Sequence, residues 1–521
     1  MKYIEENISY LISSKGKKRY FLCFILGTIS AYAFAPYFVF PLFPLTIAAF
    51  LFVVITSKNP KQAFWAGWFY GFGHFVFGLY WISNSLLVDP EKFAWMIPFA
   101  ISLIPAVLAF YVALTSWVTF KFISSNKKRI LLFPVIWVVF EILRTYLFTG
   151  FPWNLAGYVF AFSDAMMQPA ALITIYGLSF LAVLSGSILC CLFSVEGRKV
   201  SSSGCFIPAV MVYAFISVLF VSGFGYLHIS DKYYASQKEG INLRLVQPSI
   251  PQQMKWHPDA ALQVFLKHIE MTKTDNGFKP DMVIWPEAAT PFTLGADPYA
   301  RRVISEAIPE GSFLVTGGVR VDGYGAFNSV EVLNSSDEIV ASYDKARLVP
   351  FGEFVPFRRF FPIVNKITPG DTDFSRGGGA SALSVGNITP FSPLVCYEVI
   401  FPFYKPDEST GYSWIVNVTN DAWFGDSSGP HQHLTMARFR AIEQGKPVIR
   451  VANNGISAII DANGRMVKKL DLYERGIIDG NLPAKMDMSI ATIYFCATIA
   501  IAVFLAILCK IIYRRIKLVQ K

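Results

Sequence analysis

The sequence predicts a multi-pass α-helical membrane domain joined to an α/β domain. Of its 521 residues, 54% are hydrophobic and only 16% are charged, and the mean hydropathy is +0.44. These values exclude an ordinary soluble enzyme and are typical of a membrane protein. The long apolar runs lie before residue 228 and after residue 488. Between them, short apolar runs bounded by Gly, Pro and Asn alternate with helical stretches, which indicates buried strands flanked by helices.

About eight apolar runs have the length needed to cross ~30 Å of hydrocarbon. The first two are short, and Pro36, Pro41 and Pro44 lie between or inside them, so a re-entrant hairpin is an alternative to two full spans. No small-residue cleavage site follows the first run, so we expect it to be retained as a span. The predicted spans lie near residues 20–35, 38–56, 62–83, 94–120, 130–148, 168–194, 205–227 and 489–511.

Basic residues fall in alternate loops between these runs. Lys58 and Lys61 lie between the second and third runs, and Lys127 and Lys128 between the fourth and fifth, whereas the intervening loops carry little positive charge. The positive-inside rule therefore places both termini in the cytoplasm and the α/β domain outside the cytoplasmic membrane. The net charge of +10 reflects these loops. Because no basic stripe with interleaved aromatic residues occurs elsewhere, nucleic-acid binding is not expected.

The chain is thus predicted to divide into transmembrane helices at 1–227, an outer catalytic domain at 228–488, and a last span with a basic tail at 489–521. In the outer domain, the NNG at 453–455 and the ANGR at 462–465 indicate turns, the second between paired strands. Helices are predicted near 258–274, 298–308 and 430–444. Strands are predicted at 241–247, 281–287, 313–320, 327–334, 339–345, 392–398, 414–421 and 456–462.

Three predicted strands end in residues that together suit nucleophilic catalysis: Glu287, Lys345 and Cys396. A free thiol is mostly protonated at neutral pH, so Cys396 needs a base or a nearby cation, and Glu287 is expected to take the thiol proton if enclosure raises its pKa. Lys345 would stabilise the thiolate and a tetrahedral oxyanion, with a backbone N–H near Tyr397 as a second donor. Each residue alone is more often structural, but their joint order at strand ends favours a catalytic site.

The remaining cysteines are interpreted as small apolar residues of the membrane spans, so Cys396 has no nearby disulfide partner. No Cys/His pattern suggests a metal, and no cofactor is expected. These six cysteines are Cys23, Cys190, Cys191, Cys205, Cys496 and Cys509.

The order Glu287, Lys345, Cys396 resembles the nitrilase, or carbon–nitrogen hydrolase, superfamily, without departure at these positions. The chain also contains the longer motifs VQPSIPQQMKW, WPEAA, YDKARLVPFGEFVP, VCYE, NVTNDAWFGDSSGPHQH and FEILRTYLFTGFPW. On these motifs it resembles, within that superfamily, the bacterial apolipoprotein N-acyltransferases over essentially its whole length. This resemblance implies an αββα sandwich for the outer domain, on the periplasmic side of a bacterial inner membrane.

The resemblance also implies supporting roles for Glu353, Tyr397 and Glu398, and it places Trp256 at the substrate site. A purely structural interpretation is that Glu353 and Glu398 anchor Lys345 and its loop electrostatically. That interpretation is compatible with a role in orienting the catalytic groups. Asn328 at a strand end is more typical of a scaffold hydrogen bond, although a place in the substrate site remains open.

Aromatic residues next to the predicted site are further candidates for substrate binding. The run FVPFRRFFPIV contains Phe354 and Phe357 and suits insertion at a headgroup interface; the alternative is that these rings pack inside the domain. Trp423 and Phe424 are expected in a similar mobile flap.

Four polar residues outside the predicted triad are expected to be scaffold. Asn420 and Asp421 should make hydrogen bonds at a strand end, and Arg438 and Arg440, which lie on a helix, should be structural ion-pair partners.

By resemblance, Cys396 would take an acyl chain from a phospholipid as a thioester and pass it to the α-amino group of the N-terminal diacylglyceryl-cysteine of an apolipoprotein, in ping-pong chemistry. The alternatives are a membrane-tethered nitrilase-type amidase and a transporter with a ligand-binding outer domain. About eight spans exceed what an amidase needs, and the spans lack the broken-helix pairs of transporters.

Glu141 and Arg144, at i and i+3 in the fifth span, are expected either to pair with each other or to bind headgroups.

Overall fold

The computed structural model describes residues 16–191, 194–196, 199–201, 206–236, 240–255, 257–323, 325–356, 358, 366–368, 372–488, 491–494, 496–497 and 500. Trp256, Phe357 and most of the predicted last span at 489–511 lie outside the described residues, as does most of the run at 354–364.

Long helices occupy the predicted N-terminal spans, with ends shifted by several residues. They are joined by short helical turns at Ile82–Leu86, Pro90–Phe93, Ala94–Met96, Ala156–Phe162 and Asp164–Met167. Among the described residues, two segments, Pro90–Phe122 and Ala170–Cys190, are long and apolar enough to cross a membrane. The long helices are Lys17–Ala31, Leu42–Ile55, Pro60–Gly78, Ile97–Phe122, Asn126–Tyr146, Ala170–Cys191 and Phe206–Ser236.

Glycines allow the first and third of these helices to pack closely. A Cβ atom at Gly27 would lie 1.9 Å from the carbonyl oxygen of Tyr70, and one at Gly73 would lie 2.1 Å from the carbonyl oxygen of Phe24. Small residues at helix crossings let backbones approach and compensate for the weak hydrophobic drive inside a bilayer. Any larger residue at either position would force these helices apart.

The outer domain contains two six-stranded sheets, and a two-stranded hairpin, β1 (Ser194–Glu196) and β2 (Lys199–Ser201), precedes it. The strands of the first sheet, in spatial order, are β14 (Gly476–Asn481), β3 (Asn242–Gln247), β4 (Met282–Ile284), β5 (Phe313–Asp322), β6 (Gly325–Asn334) and β7 (Ile339–Asp344). Those of the second are β13 (Met466–Leu470), β12 (Ser457–Ile460), β11 (Val448–Ala452), β10 (Trp414–Thr419), β9 (Ile388–Val395) and β8 (Leu383–Val385).

Both sheets have the same internal arrangement. Three central strands run parallel, β3–β4–β5 in the first sheet and β9–β10–β11 in the second, and the outer strands pair antiparallel. The sheets pack face to face, since buried side chains such as Leu245 and Val315 of one and Val416 and Val451 of the other form one core. Such parallel strands, buried on both faces, read as continuous apolar runs.

Helices cover the outer faces of both sheets and complete the α/β sandwich. Ala261–Thr272 and Pro298–Ser305 pack on the first sheet through residues such as Phe265 and Ile304. Ser428–Gln444 lies between the second sheet and the membrane-domain helices, in one apolar cluster with both. The prediction of an α/β domain is confirmed, and its second sheet rests on the helical domain.

All eight predicted strands are present, although several are shorter than expected. The strand predicted at 281–287 ends at Ile284, and the one predicted at 392–398 ends at Val395 and continues as a 3-10 turn, Cys396–Ile400. The ANGR turn joins β12 and β13 as an antiparallel pair, as predicted. Sequence patterns gave no bounds for β13, the partner strand that this turn implied, and missed β8, β11 and β14. The solvent-exposed β13 has two lysines in five residues and so has no apolar signature, whereas β11 is a short apolar run that a buried arginine interrupts.

Candidate active site

The structure brings Glu287, Lys345 and Cys396 together at one edge of the sandwich. Cys396 directly follows β9, Lys345 directly follows β7, and Glu287 lies three residues after β4. The Lys345 ammonium is 3.4 Å from Glu287 Oε1 and 2.9 Å from Glu353 Oε1. All four side chains are buried, and Lys345 is only 1% exposed. Residues that follow strand ends thus bring an ammonium, a carboxylate and a thiol to a single enclosed space, and the loop after β7 adds the second carboxylate, Glu353.

Asn328, on β6, links the two carboxylates. Its Nδ2 donates to Glu287 Oε1 at 2.8 Å and to Glu353 Oε1 at 2.7 Å. The second oxygen of Glu353 accepts the backbone N–H of Val349 at 2.8 Å, so both of its oxygens are occupied. Glu287 Oε2, in contrast, accepts no hydrogen bond from the described residues. Asn328 thus bridges the two carboxylates, and Glu287 is the one with an oxygen left to take a proton.

Charge and burial act in opposite directions on Lys345 and Cys396. Burial by itself lowers the pKa of Lys345, but the carboxylates of Glu353 and Glu287 outweigh it and raise that pKa, so Lys345 stays protonated. Burial and the Glu287 carboxylate raise the pKa of the Cys396 thiol, and Lys345 opposes them only in part. The resting thiol is therefore neutral, and it needs a base at the moment of attack.

The backbone at Cys396 has a left-handed conformation, with φ 48°, and Ala288, next to Glu287, has φ 47°. Such a conformation costs a non-glycine residue ~1–3 kcal/mol and persists only where the surroundings impose it. Glu398 imposes it at Cys396: its Oε2 accepts the N–H of Val395, and its Oε1 accepts from the N–H of Ala346 and the hydroxyl of Tyr343.

Glu398 therefore ties the turn that carries the thiol to the loop that carries Lys345. It is fully buried, and the structure supports the interpretation that this glutamate anchors the lysine loop.

Tyr397 connects the same turn to the membrane domain. Its hydroxyl donates to the carbonyl oxygen of Gly150 at 2.8 Å, and its ring stacks on that of Phe151. Gly150 belongs to the loop after the helix Asn126–Tyr146, in which Phe148 is 86% exposed. The nucleophile turn thus rests on a loop of the helical domain that presents an aromatic side chain outward.

A second buried network lies behind Cys396. His433 Nε2 donates to the Cys396 carbonyl oxygen at 3.1 Å, and Asp421 contacts His433 Nδ1 at 2.9 Å and Arg450 at 2.6 Å. Arg450 also contacts Asn417. Burial opposes ionisation of Asp421, but Arg450 and His433 outweigh it and lower its pKa, so Asp421 is a carboxylate. The network fixes the backbone of the nucleophile from the second sheet.

Sequence analysis identified Asp421 as scaffold but missed His433 and Arg450. The motif NVTNDAWFGDSSGPHQH contains the histidine, but nothing in its spacing shows that it faces the carbonyl of Cys396. The expected ion pairs of Arg438 and Arg440 are present, to Asp164 and Glu443.

Lys255 is a second lysine of the site that sequence analysis missed. It lies on the four-residue helix Gln252–Lys255, is 4% exposed, and donates its ammonium to the carbonyl oxygen of Glu287 at 2.7 Å. Burial lowers its pKa to about 8, against the pull of Glu287 and Cys396. In sequence, a lysine after QQM in a polar stretch is indistinguishable from a surface residue.

The predicted aromatic candidates have different surroundings. Phe354 is half-buried, with the guanidinium of Arg376 5.3 Å from its ring centre. Trp423 is half-buried on the turn after β10. Phe424 packs edge-on against Trp81 of the membrane domain, and its carbonyl oxygen accepts from Asn84 Nδ2 at 2.6 Å. The segment predicted as a flap is thus held against the helical domain in this structure.

The predicted pairing of Glu141 with Arg144 is not among the ion pairs of the described residues. Glu141 Oε1 instead accepts from the Trp137 indole and from the N–H of Ala156, and Arg144 donates to the carbonyl oxygen of Trp153 at 2.7 Å. Both side chains are buried. They stabilise the loop after their helix, because that loop's carbonyl and amide groups lie closer than either residue's opposite charge.

Among the described residues, no group of three or more His, Cys, Asp or Glu side chains is arranged to hold a metal ion.

Comparisons with known proteins cover almost the whole chain. The family described as "Apolipoprotein N-acyltransferase N-terminal domain" matches residues 26–188, and the family described as "Carbon-nitrogen hydrolase" matches residues 242–488. The apolipoprotein N-acyltransferase of Rickettsia typhi is 36% identical over 474 residues, 89% of this chain and 92% of that protein. That of Brucella melitensis is 39% identical over 433 residues, 81% of this chain and 80% of that protein.

Among solved structures, a carbon–nitrogen hydrolase superfamily protein of Xanthomonas campestris is similar with a TM-score of 0.35 at 19% identity. The match covers 50% of this chain and 96% of that one.

Proposed function

Since the chain belongs to the apolipoprotein N-acyltransferase family and is therefore an acyltransferase, we propose that it carries a fatty acyl group from a phospholipid to an apolipoprotein through a thioester on Cys396. The acceptor is the α-amino group of the N-terminal diacylglyceryl-cysteine. The observation that supports this most directly is the enclosed cluster of Cys396, Glu287 and Lys345 at adjoining strand ends.

In the first step, Glu287 takes the thiol proton as Cys396 Sγ attacks the ester carbonyl of the phospholipid. The oxyanion that forms is stabilised by the Lys345 ammonium, which its two carboxylate contacts keep protonated. When the ester C–O bond breaks, Glu287 returns the proton to the departing alkoxide. A lysophospholipid leaves, and the acyl group stays on sulfur as a thioester.

In the second step, the unprotonated α-amino group attacks the thioester carbonyl. Glu287, again a carboxylate, takes one proton from the attacking nitrogen as the C–N bond forms. The C–S bond then breaks, and Glu287 gives that proton to the departing Cys396 sulfur. The products are an amide and the free thiol, so the enzyme returns to its starting state.

We propose that Glu353 and Glu398 orient Lys345 and the thiol turn, and that Tyr397 couples that turn to the membrane domain. The substrate site is proposed to include the aromatic residues Trp256, Phe354, Phe357, Trp423 and Phe424. Asn328 is assigned to the scaffold instead, because its amide already bridges the two carboxylates.

A membrane placement suits both substrates, because each is anchored by lipid. We propose about eight spans with both termini cytoplasmic, the helical domain at 1–227, the catalytic domain outside at 228–488 and a last span after it. The two membrane-capable segments support a membrane location. The exposed Phe148, two residues before the Tyr397 contact, supports an active site that faces the lipid surface.

The test is intact-mass analysis of the purified protein after incubation with phospholipid alone. We expect one added acyl group on Cys396, and its conversion to an N-acyl product when a diacylated lipopeptide is added. An amidase of the same superfamily would instead release free ammonia from a small amide without needing either lipid. Absence of any acyl adduct on Cys396 would refute the proposed mechanism.

A further inference from the structure

A cavity of about 570 Å³ lies between the outer domain and the membrane domain. Its size falls in the ordinary range for ligand sites. The outer domain lines it with residues that follow β3, β10 and β11, among them Gln252, Asp426 and Asn454, and the membrane domain contributes Asn84 and the two residues Leu87 and Val88. The activity proposed above does not by itself assign a ligand to this cavity.

The cavity is one strand away from the catalytic residues in both sheets. β10 runs parallel beside β9, which ends at the thiol, and β3 runs parallel beside β4, which precedes Glu287. Neighbouring strands lie ~4.8 Å apart, and ligands of α/β folds bind at the carboxyl ends of parallel strands. The cavity therefore opens beside the site at the same edge of the sandwich.

Direct contacts connect its walls to the site and to each other. Gln252, at one end of a four-residue helix, lines the cavity, while Lys255 at the other end bonds to the carbonyl oxygen of Glu287. Gln252 Oε1 accepts from Asn420 Nδ2 at 2.8 Å. Across the two sheets, the N–H of Ser249 donates to the carbonyl oxygen of Asn453 at 2.9 Å. The walls are thus a built part of the domain and are ordered by the same elements as the catalytic groups.

The lining suits a polypeptide better than a phospholipid. It combines apolar side chains, such as Leu87 and Val88, with carboxamide and hydroxyl groups, and an acyl chain would leave those polar groups without hydrogen-bond partners. The carboxamides and the hydroxyl come from Asn84, Ser249, Gln252, Gln253 and Asn454. A phosphate needs a cation, and no lysine or arginine is among the described residues that line the cavity.

Of the described residues that line the cavity, Asp426 alone is charged; it is exposed and would repel a phosphate. A polypeptide, by contrast, offers N–H and C=O groups that carboxamides match.

We propose that this cavity binds the polypeptide segment that follows the acylated cysteine of the acceptor. The inference rests on the function proposed above and specifies how the acceptor is held. An extended chain advances ~3.3 Å per residue, so a cavity one or two strands from the thiol receives approximately the second to fourth residues after the cysteine. Side-chain carboxamides that hydrogen-bond to the peptide groups of the acceptor do not depend on its side chains, so acceptors of many sequences can bind. Asp426 adds a preference for basic segments over acidic ones.

The experiment uses the full-length protein in detergent with phospholipid donor and four acceptors. One is diacylglyceryl-cysteine amide without a peptide; the others carry five further residues that are neutral, lysine-containing or glutamate-containing. We expect the neutral peptide to lower KM roughly fivefold relative to the amide, the size of effect that one or two net hydrogen bonds give. The lysine form should have a lower KM than the glutamate form at low salt, with the difference shrinking in 1 M NaCl.

Asp426→Lys should reverse the order of the lysine and glutamate acceptors, and Gln253→Ala should raise KM for every peptide form but not for the amide. Matched controls are Glu306→Lys and Gln263→Ala, which change exposed residues of the same domain outside the cavity lining. Thioester formation from phospholipid alone should be unchanged in Asp426→Lys, because that step uses no acceptor.

Equal KM values for the amide and the neutral peptide, or an unreversed order in Asp426→Lys, would overturn the inference. Slower thioester formation in both cavity variants, but not in the controls, would assign the cavity to the donor and also overturn it. A failure of this inference can be distinguished from a failure of the proposed function by measuring the binding of fluorescent lipopeptides to Cys396→Ala. That variant should still discriminate the lysine from the glutamate form, even if the wild-type protein formed no thioester.

Discussion

The two carboxylates that contact Lys345 can be separated by isosteric substitution. Glu287→Gln removes a proton acceptor that has one oxygen without a hydrogen bond from the described residues. Glu353→Gln changes a carboxylate whose two oxygens are both bonded. We expect Glu287→Gln to lose thioester formation on Cys396, and Glu353→Gln to form thioester slowly and release little N-acylated product.

The contacts give the size of each effect. A general base contributes about 10²–10⁴-fold, so acylation in Glu287→Gln should fall by that factor. In Glu353→Gln, a single carbonyl oxygen must serve three donors: Lys345 Nζ at 2.9 Å, Asn328 Nδ2 at 2.7 Å and Val349 N at 2.8 Å. An unpaired buried donor costs ~1–3 kcal/mol, or about 5- to 150-fold in each step that depends on the geometry of Lys345.

The assay is the time course of the acyl adduct by intact mass, with phospholipid and no acceptor. The matched control is Glu331→Gln, which changes a third buried acidic residue, located on β6. Glu331 is three residues from Asn328 and so points to the opposite face of the sheet, and its variant should acylate at the wild-type rate. A robust adduct in Glu287→Gln with none in Glu353→Gln would reverse our assignment. Equal loss in all three variants would show only that the domain does not tolerate loss of a buried carboxylate.

Further predictions concern the nucleophile, the two lysines and pH. Cys396→Ala should abolish turnover while circular dichroism and membrane insertion stay unchanged, and Cys396→Ser should also be inactive; substantial acyl transfer by the serine variant would contradict a site built around a thiol. Lys345→Arg should be nearly inactive in the same turnover assay, because the planar guanidinium of arginine cannot replace the compact lysine ammonium that is directed at one oxyanion. Activity above about a tenth of wild type, roughly 1.4 kcal/mol in barrier, would remove the oxyanion role. Lys255→Met should slow acylation of Cys396 by phospholipid in the intact-mass assay, because the hydrogen bond that holds the carbonyl oxygen of Glu287 is lost; an unchanged rate would limit Lys255 to a packing role. Burial raises the pKa of Glu331 to about 7, so the folded state holds a proton that the unfolded state releases, and stability should fall as pH rises from about 4.5 to 7. Glu331→Gln should flatten that fall in the melting temperature, and an equally steep fall in the variant would refute it.

Local sequence patterns were sufficient for the strands that deliver the thiol, the base and the lysine. Each is an apolar run that ends in a polar residue, and burial on both faces makes such runs visible without knowledge of their partners. The ANGR turn was predictable for a similar reason, because the residues that form it are adjacent in the chain. The charge asymmetry of the loops likewise predicted an orientation, which stays a prediction.

Other parts of the site depend on residues that are distant in sequence. Glu398 was suspected from its neighbours, but its bonds to the loop of Lys345 join residues more than fifty positions apart. The segment with Phe424, predicted to be a mobile flap, instead packs against Trp81 of the membrane domain, more than three hundred residues earlier. Glu141 and Arg144 satisfied a helical pairing rule, yet both bond to the following loop.

The sequence by itself determined which residue types stand at the strand ends and which segments are apolar, because hydrophobic periodicity and strand termination are local properties of the chain. Only the tertiary structure decided that Lys255 enters the site, that His433 and Arg450 support the backbone of the thiol, and that a polar cavity lies one strand away. A buried lysine, histidine or arginine has no local signature. Its burial becomes tolerable only when partners from other strands supply hydrogen bonds and opposite charge, and these partners meet only in the folded chain.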